Sequence, residues 1–155
     1  MKKVSSKNME KSIPEIKLSY KKTKFMADSQ ISSPEASYNA MKDLFDGDTI
    51  ELHESVIVLY LNQNLKPIGF LRHTSGGVSS CIVDKRLIIS TALISNSTQI
   101  IVAHNHPSGR IIPSSEDKAF SEDLKKAAQF FDIRLVDSLI VTTESYYSMS
   151  ENLDL

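Results

Sequence analysis

Apolar positions recur along this chain with two different periods, and the switches between them mark out its elements. The run Ser55-Val56-Ile57-Val58-Leu59-Tyr60-Leu61 is apolar on both alternating faces and rich in β-branched residues, the pattern of a central strand covered on each side. Asn62-Gln63-Asn64 reads as a turn, and a returning strand is expected over 65–71, with Pro67 weakening its pairing. A third strand over 99–103 leads into His104, and two closing strands are expected over 133–141 and 146–149. Between these lie patterns of period 3.6. Ser33 and Pro34 open a helix over 34–45 that carries Ala36, Ala40, Met41, Leu44 and Phe45, with Gly47 just beyond it. Asp84 can cap a second helix, with Leu87, Ile88, Ala92 and Ile94 at helical spacing. A third helix, over 115–131, repeats Ala119, Phe120, Leu124, Ala127, Ala128 and Phe131.

At the N-terminus, Ile16, Leu18 and Tyr20 alternate with Lys17, Ser19 and Lys21 as in a half-buried strand, whereas residues 1–13 are polar and carry no period. The expected organisation is a flexible basic segment over 1–14 and one domain over 15–155. Strands alternating with helices predict an α/β fold, a mixed sheet flanked by helices.

Composition narrows the chemistry. A chain of 155 residues with 41% hydrophobic and 24% charged residues is an ordinary globular composition. No apolar run approaches the ~18 residues of a membrane span and no secretory leader opens the chain, so a cytoplasmic protein is expected. A formal net charge of −1 conceals an asymmetry, because residues 1–24 hold eight Lys against Glu10 and Glu15. Such an arm suits weak binding to nucleic acid or an acidic partner, although a Lys-rich terminus is more often merely solvated. The single cysteine, Cys81, excludes an internal disulfide and a thiolate-rich zinc site, and its apolar neighbours Ile82 and Val83 make it a small core residue. Any zinc here is held by His and carboxylate.

The informative stretch is His104-Asn105-His106-Pro107-Ser108-Gly109 followed by Ser114-Ser115-Glu116-Asp117. Off the end of a strand, residues i and i+2 point to one side, so His104 and His106 can converge on one ion, and Asp117 at the start of the next helix can complete the set. Two His and one carboxylate leave a fourth position for water, as catalytic zinc requires. Plainer readings exist: two loop histidines arise by chance, and Ser114 with Asp117 matches a helix capping box. His53 and His73 lack partners at ligand spacing and read as surface or loop residues. Asn105 does not make an HNH nuclease of this run.

His104-x-His106-Pro107 with Ser114-x-x-Asp117 resembles the JAMM signature, whose ligands are those two His and that Asp. The run HNHPSG followed by Pro113-Ser114 is similar to its RadC branch, a bacterial family long labelled with DNA repair. Ile16-Lys17-Leu18-Ser19-Tyr20, Ser75-Gly76-Gly77 and Tyr146-Tyr147-Ser148-Met149 add to the likeness. The resemblance implies a deaminase-like JAMM/MPN architecture and one zinc ion per chain. It also implies hydrolysis of a peptide or isopeptide bond in an unidentified protein substrate. In such enzymes a glutamate far upstream acts as general base, and the matching position is Glu54, with Glu51 the competitor. Ser114, by the same resemblance, donates a hydrogen bond to the substrate carbonyl oxygen as charge develops there. Alternatives of other classes are a metal-dependent nuclease or phosphodiesterase and a non-catalytic interaction module. The helix-hairpin-helix region of full-length RadC proteins does not occur in this sequence, which weakens an expectation of DNA binding.

Overall fold

The computed structural model describes residues 30–75 and 83–155. Strand β1 (Ser55–Leu61) lies inside a five-stranded mixed sheet, with β2 (Pro67–Ser75) antiparallel on one side and β3 (Gln99–Asn105) antiparallel on the other. Beyond β3 come β4 (Arg134–Val141), parallel to it, and the short β5 (Tyr146–Ser148), giving the order β2-β1-β3-β4-β5. Helix α1 (Pro34–Met41) covers one face. Helices α2 (Lys85–Ile94) and α3 (Ser115–Gln129) cover the other, α3 serving as the crossover that parallel β3 and β4 require.

The two-sided apolar pattern of β1 is explained by these layers. Val56, Val58 and Tyr60 join Ile100 and Val102 of β3 beneath Ile88, Ala92, Leu124 and Ala128 of the two helices. Ile57, Leu59 and Leu61 join Ile101 and Ala103 on the side of α1, where Met41, Phe45 and Ile50 close over them. Both clusters are almost fully removed from water.

Several boundaries differ from expectation, each for a local reason. The first helix stops at Met41 and tightens into a 3-10 turn over Lys42–Leu44, after which Phe45 is extended. The returning strand starts at Pro67, because Asn62 accepts from the amides of Asn64 and Lys66 and holds Leu65 at φ 58° in the turn. Pro67 is tolerated as the first residue of its strand, which runs on to Ser75. β3 continues through His104 and Asn105, so the first histidine stands on the strand itself. His73 also belongs to a strand, and its Nε2 lies 3.0 Å from the carbonyl of Asp84.

On the helices, Ile89 is buried where Leu87 and Ile94 are exposed. Ala119 and Phe131 of the expected third-helix stripe face water as well. Ser121 takes an inward position instead, its hydroxyl donating to that of Ser138 at 2.8 Å, a hydrophilic contact that a search for apolar periods passes over. The expected strand at 16–20, the basic segment at 1–14, Gly76, Gly77 and Cys81 lie outside the described residues. Among the described residues, no helix is long and apolar enough to cross a membrane.

Leu124 is wholly buried between α3 and the sheet, so Leu124→Ala is expected to cost about 2–5 kcal/mol of unfolding free energy in a urea titration. Phe130→Ala, at a side chain 88% exposed, is expected to stay within about 0.5 kcal/mol of the native chain in the same titration.

Candidate metal centre

Alternation along β3 decides which side chains meet. His104 shares its face with Val102, the side covered by α3, and the chain returns to that side at His106, whereas Asn105 between them is fully buried toward the α1 side. Past His106 the sequence Pro107-Ser108-Gly109 folds a turn in which the Gly109 amide donates to the His106 carbonyl at 3.0 Å. Pro107 suits the second position of such a turn, and Gly109 takes φ 73°, a conformation costly for any residue with a Cβ. The turn brings the Arg110 carbonyl back to the ring, where His106 Nδ1 donates to it at 2.6 Å. With Nδ1 committed as a donor, Nε2 of the neutral ring presents its lone pair outward.

The third group comes from the first turn of α3. Ser114 is its N-cap: its hydroxyl accepts from the Asp117 amide at 3.1 Å, while its own amide donates to Asp117 Oδ2 at 2.8 Å, a complete capping box. The same hydroxyl donates to Asp117 Oδ2 at 2.6 Å. The helix cap therefore also aims the carboxylate, which sits where the helix dipole favours negative charge.

His104 Nε2 lies 3.0 Å from His106 Nε2 and 3.2 Å from Asp117 Oδ1, and His106 Nε2 lies 3.5 Å from Asp117 Oδ2. Donors about 2.0–2.1 Å from a tetrahedral zinc are roughly 3.3 Å apart, and each pair of residues presents atoms near that spacing, Asp117 meeting His104 through Oδ1 and His106 through Oδ2, with one ligand atom from each residue within 4.8 Å of the others. Among the described residues this is the one His/Cys/Asp/Glu group gathered closely enough to hold a metal. His53 and His73 are not in it.

Hydrogen bonding to Asp117 raises the His106 pKa above its usual value against the opposing effect of burial, with the Arg110 carbonyl and the charges of Asp117 and Glu54 adding to the rise. Burial alone would raise the Asp117 carboxyl, but hydrogen bonds from His104, His106 and Ser114 and the charge of His104 outweigh it and hold that carboxyl far below the usual range.

Glu54 precedes β1, whose register sets Val56 opposite His104 and so brings Glu54 toward His106. It lines the same cleft of about 600 Å³ as the three donors, together with the apolar Val56, Val83, Val102 and Phe120. Glu51 is exposed and takes a 3.4 Å hydrogen bond from Thr143 outside that cleft. Ser114 also lines the cleft, but its hydroxyl proton is engaged by Asp117. The sequence reading overlooked Arg110, whose contribution is a main-chain carbonyl, and the structural part played by Asn105. Strict alternation was the available signal for the latter, since it sends a polar residue into an apolar face where it must find partners.

The chain matches the family model described as the RadC-like JAB domain over residues 31–154. It is 40% identical over 96 residues to a UPF0758 protein of Flavobacterium johnsoniae, covering 62% of this chain and 42% of that protein. To the UPF0758 protein YfjY of Escherichia coli K12 it is 40% identical over 99 residues, covering 64% and 62% respectively. To a UPF0758 protein of Aquifex aeolicus it is 35% identical over 121 residues, covering 78% and 51%. The chain thus spans about half the length of the curated relatives it matches.

Two outcomes follow from the cap and the ion pair. Ser114→Ala is expected to lower stability by about 1 kcal/mol and divalent-metal affinity by about 10- to 100-fold, read by denaturation and by chelator competition. In the metal-free chain, the raised His106 pKa contributes stability that is full below about 6.5 and is lost as pH rises through the folded-state value. The depressed Asp117 pKa contributes stability above about 3.8 that is lost on further acidification. The melting-temperature difference between the native chain and Asp117→Asn should therefore be largest between about pH 4 and 6.5 and shrink toward pH 8.

Proposed function

Because the chain belongs to the RadC-like JAB domain family, we propose that it is a zinc-dependent metallopeptidase hydrolysing a peptide or isopeptide bond in a protein substrate. The observation that carries this reading is the convergence of His104, His106 and Asp117 at ligand spacing, with Glu54 brought to the same cleft by the β1–β3 register. A zinc ion held there would lower the pKa of a coordinated water to about 7 and would polarise a carbonyl oxygen.

The chain's own residues divide the remaining work. His104 and His106 would supply imidazole nitrogens to the ion and Asp117 an anionic oxygen. Glu54, a carboxylate with no helix cap or ion pair among the described residues, takes the proton of the attacking water and returns it to the departing amine. Ser114 donates to the carbonyl oxygen of the bond being cut once its hydroxyl turns from Asp117, whose negative charge is then shared with the ion. Val56, Val102 and Phe120 exclude bulk water from the floor of the cleft and so strengthen each of these polar interactions.

The test begins with metal analysis of untagged protein and a screen of peptide and isopeptide libraries. With a substrate in hand, Glu54→Gln is expected to keep zinc while losing about 100- to 10,000-fold in turnover. His106→Ala and Asp117→Ala should lose zinc and turnover together, and Glu51→Gln should resemble the native chain. A zinc content near zero that exogenous zinc does not restore would end the reading. Full activity in Glu54→Gln would remove the proton-transfer step from it.

A further inference from the structure

Asn105 stands between two metal ligands yet points away from them, and it is 0% exposed on the face lined by Ile101 and Ala103. A buried primary amide there must satisfy one acceptor and two donor positions. All three are used, and all on one segment of backbone. Oδ1 accepts from the Ser55 amide at 2.7 Å, while Nδ2 donates to the Ile50 carbonyl at 2.5 Å and to the His53 carbonyl at 2.9 Å. Those three groups bracket Glu54.

Among the described residues, the other side-chain bond reaching the segment over 46–54 from outside is the 3.4 Å one from Thr143 to Glu51. Its internal bonds are short-range turns, Thr49 and Ile50 donating to the Asp46 carbonyl, and Leu52 and His53 to that of Thr49. Ile50 anchors it in the core on the α1 side, and the chain must then cross the end of the sheet to put Glu54 on the α3 side. The crossing falls at 53–55, between a carbonyl and an amide that Asn105 holds. The ladder of β1 with β3 pairs Val56 with His104 as its last partners, so the Asn105 amide takes over where backbone pairing ends.

We propose that Asn105 is a positioning residue that fixes the Glu54 carboxylate relative to the two imidazoles flanking it in sequence; this rests on Glu54 being the proton acceptor of the proposed reaction. The side chain is specified chemically. Asp would set a carboxylate against two carbonyl oxygens, Leu would leave three buried groups unpaired, and Gln would carry the amide one methylene too far. A single residue thus ties the strand that bears the ligands to the segment that bears the base.

The experiment uses the full chain loaded with cobalt(II), whose visible spectrum reports the ion's surroundings without any substrate. Three quantities are read: cobalt affinity by chelator competition, the visible spectrum at fixed pH, and amide hydrogen exchange at Ser55 and across 46–54. Glu54→Gln serves as the reference. Asn105→Ala is expected to speed exchange at Ser55 by about 10- to 100-fold. Its spectrum should shift in the sense of Glu54→Gln, and its affinity should fall by less than the ~10-fold that follows loss of a ligand's own hydrogen-bond partner.

Native exchange at Ser55 together with a native spectrum in Asn105→Ala would overturn the proposal. So would a loss of affinity beyond ~100-fold, which would make Asn105 a support of the ligands instead. A silent Glu54→Gln spectrum with faster Ser55 exchange in Asn105→Ala would condemn the role of Glu54 and, with it, the purpose assigned to the clamp. Should Asn105→Ala fail to fold, Asn105→Asp keeps the acceptor for Ser55 and loses both donors, so exchange should rise across 46–54 more than at Ser55. In the native chain the Ser55 amide must exchange as slowly as those inside β1; exchange at the rate of an open loop would refute the clamp without any variant.

Discussion

The antiparallel pairing of β1 with β3, with Val56 set against His104, governs nearly every relationship at the candidate centre. Side chains on a strand change faces at every step, so a slip of one residue would turn Glu54 toward α1, away from the imidazoles. The register is secured far from the chemistry, by Val58 against Val102 and by Leu59 against Ile101 in two separate cores. Because both faces are apolar, a shifted pairing would be penalised by packing volume and by the polar residues at the strand ends, not by simple exposure of hydrophobic surface. Asn105, fully buried and bonded to the Ser55 amide and to the Ile50 and His53 carbonyls, favours the observed register.

Charge is arranged around the same pairing. Asp117 is held by a helix cap, by two imidazoles and by the field of a helix N-terminus, while His106 is turned by a carbonyl behind it. Asp117 and His106 are thus each oriented by a group outside the three donors, the Ser114 cap and the Arg110 carbonyl. The capping box and the candidate metal site, which read as competing explanations of Ser114 and Asp117, are one structure: the geometry that starts α3 is the geometry that aims the carboxylate.

What the sequence made legible follows the range of the interactions concerned. His104, His106 and Asp117 lie within one short stretch, and local rules of strand alternation and helix capping suffice to bring them together. Glu54 is separated from them by half the domain, so its assignment needed a resemblance, and its place beside His106 emerges only with the strand register. Asn105 was passed over because its partners are main-chain groups fifty residues away, which no side-chain pattern records. The same limit explains the misplaced boundaries. Leu65 reads as a strand residue by hydrophobicity, yet the Asn62 side chain turns the backbone there, and Ser121 is inward because another hydroxyl meets it.

The separation between the ligands and the base also has a consequence for how the chain acquires its parts. His104 and Asp117 are joined by a turn and a helix start, a closure that costs a disordered chain little conformational entropy. Glu54 joins them only after β1 has found β3 across a much longer loop, the slower and more expensive event. The three donors can therefore gather before the sheet is complete, whereas Glu54 joins them only once β1 is paired with β3. The hydrolysis proposed for this chain would accordingly be confined to molecules whose sheet is complete.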